Sequence, residues 1–372
     1  MKRLTTLCPA CLFCMLPICA MIFLRILLFI LGIAIVARAL ISALRTIVLP
    51  RGERDQIAAF VFLSLRRLYN IGLRFTTTYE QRDRVMSSYG PVGLLLLLPV
   101  WLILVASGYV LMYLATGIES INDSIVISGS SLLTLGLFKG NSLVHSILEF
   151  SEATIGLILL ALLIAYLPSI YSAFQQRELQ VTLLEVRAGS PPSAVEMVIR
   201  FHRLHSLDQL HELWESWETW FAQIEESHTS LAAIVFFRSP QPDHSWVTAS
   251  GAVLDTAALI RSVVDVPHDP QADLCIRAGY LALRRIAGYF RVSFNPAASF
   301  PDDPISIARE EFDQAYEELA AAGVPLKPDR DQAWRDFAGW RVNYDRVLVS
   351  LCQITMAPYA PWSSDRSLLR QK

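Results

Sequence analysis

The sequence predicts an all-α membrane protein, with a membrane-embedded part followed by a soluble helical bundle. Hydrophobic residues make up 53% of the 372 residues and the mean hydropathy is +0.40, whereas a soluble globular chain is about 45–50% apolar. The excess is concentrated in residues 1–175, which contain three long apolar stretches. The remaining residues have the composition of a soluble domain, and their periodicity is helical, with little that is typical of strands.

In the first 20 residues, Lys2 and Arg3 form a charged start and most of the remaining residues are apolar. We interpret residues 1–20 as a hydrophobic leader, or as an over-long start with the chain beginning at Met21. Four of the six cysteines lie here, in the cluster CPACLFC and just after it. A zinc site needs a second ligand pair and none follows. We therefore interpret these cysteines as small apolar residues rather than as metal ligands or a redox pair. The other two cysteines stand apart, which suits a reducing compartment.

Each of the three apolar stretches is long enough to cross a bilayer, which takes about 20 apolar residues in a helix. They are residues 21–46, 92–117 and 147–172. Arg25 and Arg38 interrupt the first stretch. Arg25 lies near enough to one end to extend into the interface, and Arg38 is less favourably placed.

Basic residues are distributed unevenly between the loops. Eight arginines lie from the end of the first stretch, at Arg45, to the start of the second, whereas Lys139 is the only Lys or Arg between the second and third. The positive-inside rule therefore places residues 46–90 and 173–372 in the cytoplasm and 118–146 outside. We expect a multi-pass protein of the plasma or inner membrane, in contact with lipid. The net charge of −2 gives no basic field, so nucleic acid is not an expected partner.

Residues 47–90 are predicted to form a linker that contains an amphipathic helix at 56–75. Its apolar residues recur at helical spacing, and the adjacent Arg66 and Arg67 exclude a fourth span. We expect this helix to lie at the inner membrane surface. The alternative is a helix packed on the cytoplasmic domain.

The external segment 118–146 is unusually apolar for a loop in water. The run from Ile125 to Leu133 is broken only by Ser and Gly. It is too short to cross the membrane, which favours a re-entrant segment. Irregular backbone at membrane depth is tolerated only where it is buried in protein or lines water.

Directly after this run comes the sequence TLGLF, and here the chain resembles the pore-loop potassium channels. In that family a short pore helix is followed by T-V-G-Y-G, whose backbone carbonyls replace the hydration shell of the ion. Ser130 and Ser131 fall where the family often has hydroxyl residues at the end of the pore helix. The resemblance implies a selectivity filter formed by five consecutive residues: Thr134, Leu135, Gly136, Leu137 and Phe138.

The third stretch extends the resemblance to residues 91–178, the predicted pore domain. Gly156 corresponds to the glycine hinge of the family's inner helix, or else serves close helix packing. Pro168 lies near the cytoplasmic end, where a kink could open a gate. Glu149 and Glu152 share a helix face. They are interpreted either as near-pore groups that attract cations or hydrogen-bond behind the filter, or as residues that meet water at the outer end of the helix.

The sequence departs from the family pattern at three positions: Leu137 replaces the aromatic residue, Phe138 replaces the second glycine and Lys139 replaces an acidic residue. Two functions therefore compete. The first is a homotetrameric channel for monovalent cations, chiefly K⁺, gated through its cytoplasmic domain, because one loop per chain cannot close a filter. The second is a non-conducting membrane sensor or scaffold with a degenerate channel fold.

Residues 179–372 are predicted to form a cytoplasmic all-helical domain. Short strings in this half, among them SWVTASGAVLD and DQAWRDFAGWRVNYD, resemble bacterial membrane proteins of the potassium-channel-like type. The domain carries no HExxH, GxSxG, phosphate-binding or dinucleotide motif, so neither an enzyme nor a cofactor is expected. The hypothesis of a membrane-anchored helical enzyme rests only on the size of this domain. Helices are predicted near 193–203, 207–227, 250–265, 270–290, 305–322 and 330–356.

Aromatic residues and histidines of this domain are the remaining candidates for a site. Trp214, Trp217 and Trp220 recur every three residues, which favours a buried packing stripe over a ligand cage. His202 and His205 are close enough in sequence to share a helix face. We favour surface or capping roles for them over a metal site.

Overall fold

The structure is a computed structural model that describes residues 9–49, 55–137 and 142–369. Within these ranges the chain forms helices and no strand, as the sequence predicts. The helices are α1 Pro9–Ile47, α2 Gln56–Leu73, α3 Tyr79–Ser87, α4 Tyr89–Ala115, α5 Ile121–Leu132, α6 Leu143–Ala188, α7 Ala194–Arg203, α8 His211–Ser230, α9 Trp246–Ser262, α10 Pro270–Tyr289, α11 Arg309–Ala321, α12 Arg330–Arg341, α13 Asp345–Thr355 and α14 Ser364–Leu369, with a 3-10 turn at Ala232–Phe236.

Three helical segments are long and apolar enough to cross a membrane: Ala20–Ile47, Tyr79–Ala115 and Leu143–Ala188. The prediction of an all-α chain with three membrane-spanning candidates is thereby confirmed. The first and third helical segments extend beyond the predicted apolar stretches at both ends, whereas the second begins earlier, at Tyr79, and ends at Ala115, two residues before the predicted end. The third continues to Ala188 because its last part consists mostly of good helix formers. The next residue is Gly189, whose φ of +79° is typical of the residue that follows a helix.

The chain divides into two compact units. The first contains α1, the start of α2 up to Phe62, α4 from Gly93, α5, and α6 up to Pro168. The second contains the rest of α2, residues 63–92, and everything described from Ser169 onwards. Pro168 lies inside α6 and does not end it.

In the first unit, α1 approaches α4 at two glycines. A Cβ atom on Gly32 would lie 2.5 Å from the carbonyl oxygen of Gly108, and one on Gly108 would lie 2.7 Å from that of Gly32. Side chains other than hydrogen would therefore force the helices apart. Close approach through small residues is typical of helix pairs in membranes.

A buried carboxylate accounts for the arginine within the first span. Asp55, which is 4% exposed, accepts hydrogen bonds from Arg38 Nη1 at 2.9 Å and from Ser42 Oγ at 2.5 Å. It also accepts the backbone N–H groups of Ile57 and Ala58 at the start of α2. Trp101 of α4 donates its indole N–H to Ser42. Arg38 is therefore paired within the protein rather than left to reach the interface.

In the second unit, the tryptophan stripe of α8 lies in the core. Trp214, Trp217 and Trp220 are each at most 1% exposed, which confirms the packing interpretation. The single helix predicted at 330–356 is wrong: the structure has two helices, α12 and α13, with a break at residues 342–344. The break lets Arg341 and Tyr344 both reach Asp255 of α9.

Candidate functional site

The candidate site is α5 and the segment that follows it. Ser120 caps the helix by accepting the backbone N–H of Asp123 at 3.3 Å. With 12 residues and a rise of about 1.5 Å per residue, α5 is about 18 Å long, too short to cross a hydrocarbon core of about 30 Å. It lies in the chain between two helices that are long enough to do so.

A single carboxylate joins α4, α5 and α6. Glu152 of α6 is fully buried. Its Oε1 accepts the hydroxyl of Ser128 of α5 at 2.5 Å, and its Oε2 accepts the hydroxyl of Tyr113 of α4 at 3.0 Å. The side chain therefore contacts protein rather than water, while Glu149, one turn earlier, is half-buried. Sequence reasoning singled out Glu152 but missed both of its partners.

Gly156, one turn after Glu152, supports the end of α5. A Cβ atom there would lie 2.5 Å from the carbonyl oxygen of Leu132, the last residue of α5. The contact is with backbone, which cannot rotate away. The absence of a side chain at Gly156 thus sets how closely α5 packs against α6.

Beyond α5, the end of the helix organises the predicted filter residues. The backbone N–H of Leu135 donates to the carbonyl oxygen of Ser130 at 2.8 Å, and the N–H of Thr134 donates to that of Ser131 at 3.0 Å. The Ser130 hydroxyl accepts the N–H of Leu137 at 2.8 Å. Both predicted serines therefore lie beside the predicted filter segment and hold its backbone.

The backbone of this segment is left-handed at two positions. Thr134 has φ +57° and Gly136 has φ +67°. A β-branched residue with positive φ is a genuine outlier that costs about 1–3 kcal/mol, and such outliers cluster at functional sites. The side chains of Leu135 and Leu137 are 58% and 70% exposed. Phe138 and Lys139 lie outside the described residues.

In the second unit, the 3-10 turn and the residues after it contact the C-terminal part of α6. Arg177, which is 2% exposed, donates to the carbonyl oxygens of Ile234 at 2.9 Å and Phe237 at 2.7 Å. Arg238 pairs with Asp83 of α3 at 2.6 Å. One short segment, residues 232–238, is thereby hydrogen-bonded to both α3 and α6.

His202 and His205, which were considered for a metal site, do not lie on one helix. His205 follows the end of α7 with φ +53°, so it does not share a helical face with His202. His211 lies 3.0 Å from Asp269. Among the residues that the structure describes, no three His, Cys, Asp or Glu side chains form a group that could hold a metal ion.

His228 is fully buried in α8, and its pKa lies well below its usual value because burial and the neighbouring Arg177 guanidinium both disfavour the imidazolium. A His with a lowered folded-state pKa stabilises the fold above the unfolded pKa of about 6.5, and this stability is lost as the pH falls below it. We expect the free energy of unfolding to decrease by about 1.4 kcal/mol per pH unit below about 6.5. Thermal unfolding of the full chain in detergent, followed by tryptophan fluorescence, measures this slope.

The His228→Gln variant is the control for this pH dependence, and its slope is expected to be smaller by about one proton. An unchanged slope would show that other groups carry the effect.

Comparison with known proteins gives no relative on which to base an assignment. No family model matches the chain, and neither the curated proteins nor the solved structures yield a match. The function is therefore argued from the residues alone.

Proposed function

We propose that the protein is a homotetrameric pore-loop channel for monovalent cations, with K⁺ as the principal ion. The observation that carries the proposal is a 12-residue helix between two spanning helices, followed by left-handed backbone at Thr134 and Gly136. Such backbone turns successive carbonyl groups away from a helical or extended course. Carbonyl oxygens in this arrangement can replace the hydration shell of a cation.

The contacts around α5 support a fixed loop rather than a loose one. The middle of α5 is held by Glu152, and its end packs against Gly156. The segment beyond the helix is held by the Ser130 hydroxyl. A filter needs this rigidity because its carbonyl groups must stay in place as ions pass. One loop cannot enclose an ion, so several copies are required around an axis.

The cytoplasmic domain is proposed to gate the pore through α6. The boundary between the two compact units crosses α6 at Pro168, where the missing backbone N–H weakens the helix. In the second unit, Arg177 ties α6 to residues 234–237. A rearrangement of the domain would therefore act on the helix just beyond the proline. The orientation with this domain in the cytoplasm is part of the proposal.

The test is K⁺ flux into liposomes that contain the purified protein, with a matched pair of variants. Gly136→Asp places a side chain and a charge in the proposed filter, and we expect it to abolish flux. Gly117→Asp introduces the same change at a glycine that also has positive φ and open surroundings but precedes α5, and flux is expected to continue. Equal flux in both variants, or no flux through either the wild type or the Pro168→Ala variant, would favour the non-conducting sensor instead.

A further inference from the structure

The part of α6 that follows Glu178 is apolar on two opposite faces. One face packs into the core of the second unit through Val181, Leu184 and Ala188, which are all at most 4% exposed. On the other face Leu179, Leu183 and Val186 are 61%, 41% and 74% exposed. A helix in water is normally polar on the face that does not pack, so this second face requires a partner.

The exposed face has the spacing of a coiled-coil seam. Among the exposed residues of this stretch, which also include Tyr171, Gln175, Thr182 and Glu185, five recur at intervals of four, three, four and three: Ser172, Gln176, Leu179, Leu183 and Val186. This alternation places Gln176 and Leu183 at heptad position a and the others at position d. None of the five is charged, so no like charges face one another at the a and d positions.

We infer that this seam is the surface through which a second copy of the chain docks, with the α6 helices parallel about a common axis. The inference deepens the proposed function and rests on it for the number of copies. Leu183 at position a followed by the β-branched Val186 at position d is close to the pattern that favours more than two strands. A single Gln at an a position is a device that fixes register.

The position of the three apolar residues in α6 favours a copy of this chain over lipid as the partner. The three apolar residues follow Arg177, whose guanidinium is enclosed by backbone carbonyls of the second unit. Their helix is embedded in the core of that unit on its other side.

Disulfide cross-linking in liposomes tests the seam. Leu183→Cys is made in a chain whose cysteines 8, 11, 14 and 19 are replaced by Ser. Cys275 and Cys352 are kept, because both are buried. Oxidation with copper phenanthroline is expected to convert most of the protein into covalent dimers on a non-reducing gel. The matched control is Leu204→Cys, which is 67% exposed in the same unit but outside the seam, and it is expected to stay monomeric on the gel.

The flux measurement on the wild type separates the seam from the channel. Cross-linking of Leu183→Cys without any wild-type flux would support the seam and count against the channel. Flux with no cross-linking of Leu183→Cys, or with equal cross-linking of both variants, would overturn the seam and leave the channel. A face covered by lipid or by another protein gives this second result.

Discussion

Replacing Gly156 with Ala is expected to reduce K⁺ flux by at least about tenfold. The new Cβ atom would lie 2.5 Å from the carbonyl oxygen of Leu132, closer than real Cβ contacts, and 3.1 Å from that residue's Cδ1. Because the first contact is with backbone, α5 must shift away from α6. Ser130, two residues earlier, holds Leu135 and Leu137, so the shift would carry the proposed filter with it.

Gly129→Ala is the control for Gly156→Ala. It lies in α5 itself, yet a Cβ atom there meets nothing within 4 Å. Alanine is favoured over glycine in a helix by about 1 kcal/mol, so this variant should conduct normally and unfold at the same or a higher temperature. Wild-type flux in Gly156→Ala would show that the packing of α5 on α6 does not set the position of the filter.

Replacing Arg341 with Leu is expected to lower the free energy of unfolding by about 3–5 kcal/mol. Arg341 is fully buried and donates to Asp255 at 2.5 Å, to Asp345 at 2.8 Å and to the carbonyl oxygen of Trp362. Burial alone would lower the pKa of Arg341, but the two carboxylates raise it, so the guanidinium stays charged. Leucine would leave Asp255, which is 1% exposed, without its counter-charge.

Thermal unfolding of the full chain, followed by tryptophan fluorescence, measures this loss. Arg335→Leu is the control, because Arg335 is an exposed residue of the same helix whose side chain, among the residues that the structure describes, donates only to the side chain of Gln332. The double variant Asp255→Leu with Arg341→Leu should recover part of the loss, since it removes both charges. Equal unfolding temperatures for Arg341→Leu and Arg335→Leu would contradict the assigned role of the ion pair.

Long apolar stretches and helical periodicity were sufficient to predict the all-α architecture, because both reflect burial that depends on local sequence. The positions at which the helices end were harder to predict from the sequence. Helix α6 continues to Ala188, beyond the apolar stretch, on residues that are mostly good helix formers. The break between α12 and α13 accompanies the contacts of Arg341 and Tyr344 with Asp255. Contacts of this kind depend on tertiary packing and leave no periodic pattern.

The sequence predicted which residues form the candidate site better than it predicted which of them are in contact. A carboxylate within a span indicates a buried partner, which is how Glu152 was found. Its partners, Tyr113 and Ser128, are 39 and 24 residues away in the sequence and lie among other hydroxyl residues. The approach of Gly32 to Gly108 was missed for the same reason, since each glycine is unremarkable in its own helix.

Cations are proposed to pass along the backbone of residues 134–137, and a current recorded across a planar bilayer measures this passage. With KCl about tenfold more concentrated on one side, a cation-selective path gives a reversal potential close to the K⁺ equilibrium value, about 59 mV from zero. We expect this value for the wild type and no current for Gly136→Asp. A reversal potential of the sign expected for chloride, or the same current in Gly136→Asp, would contradict the proposed path.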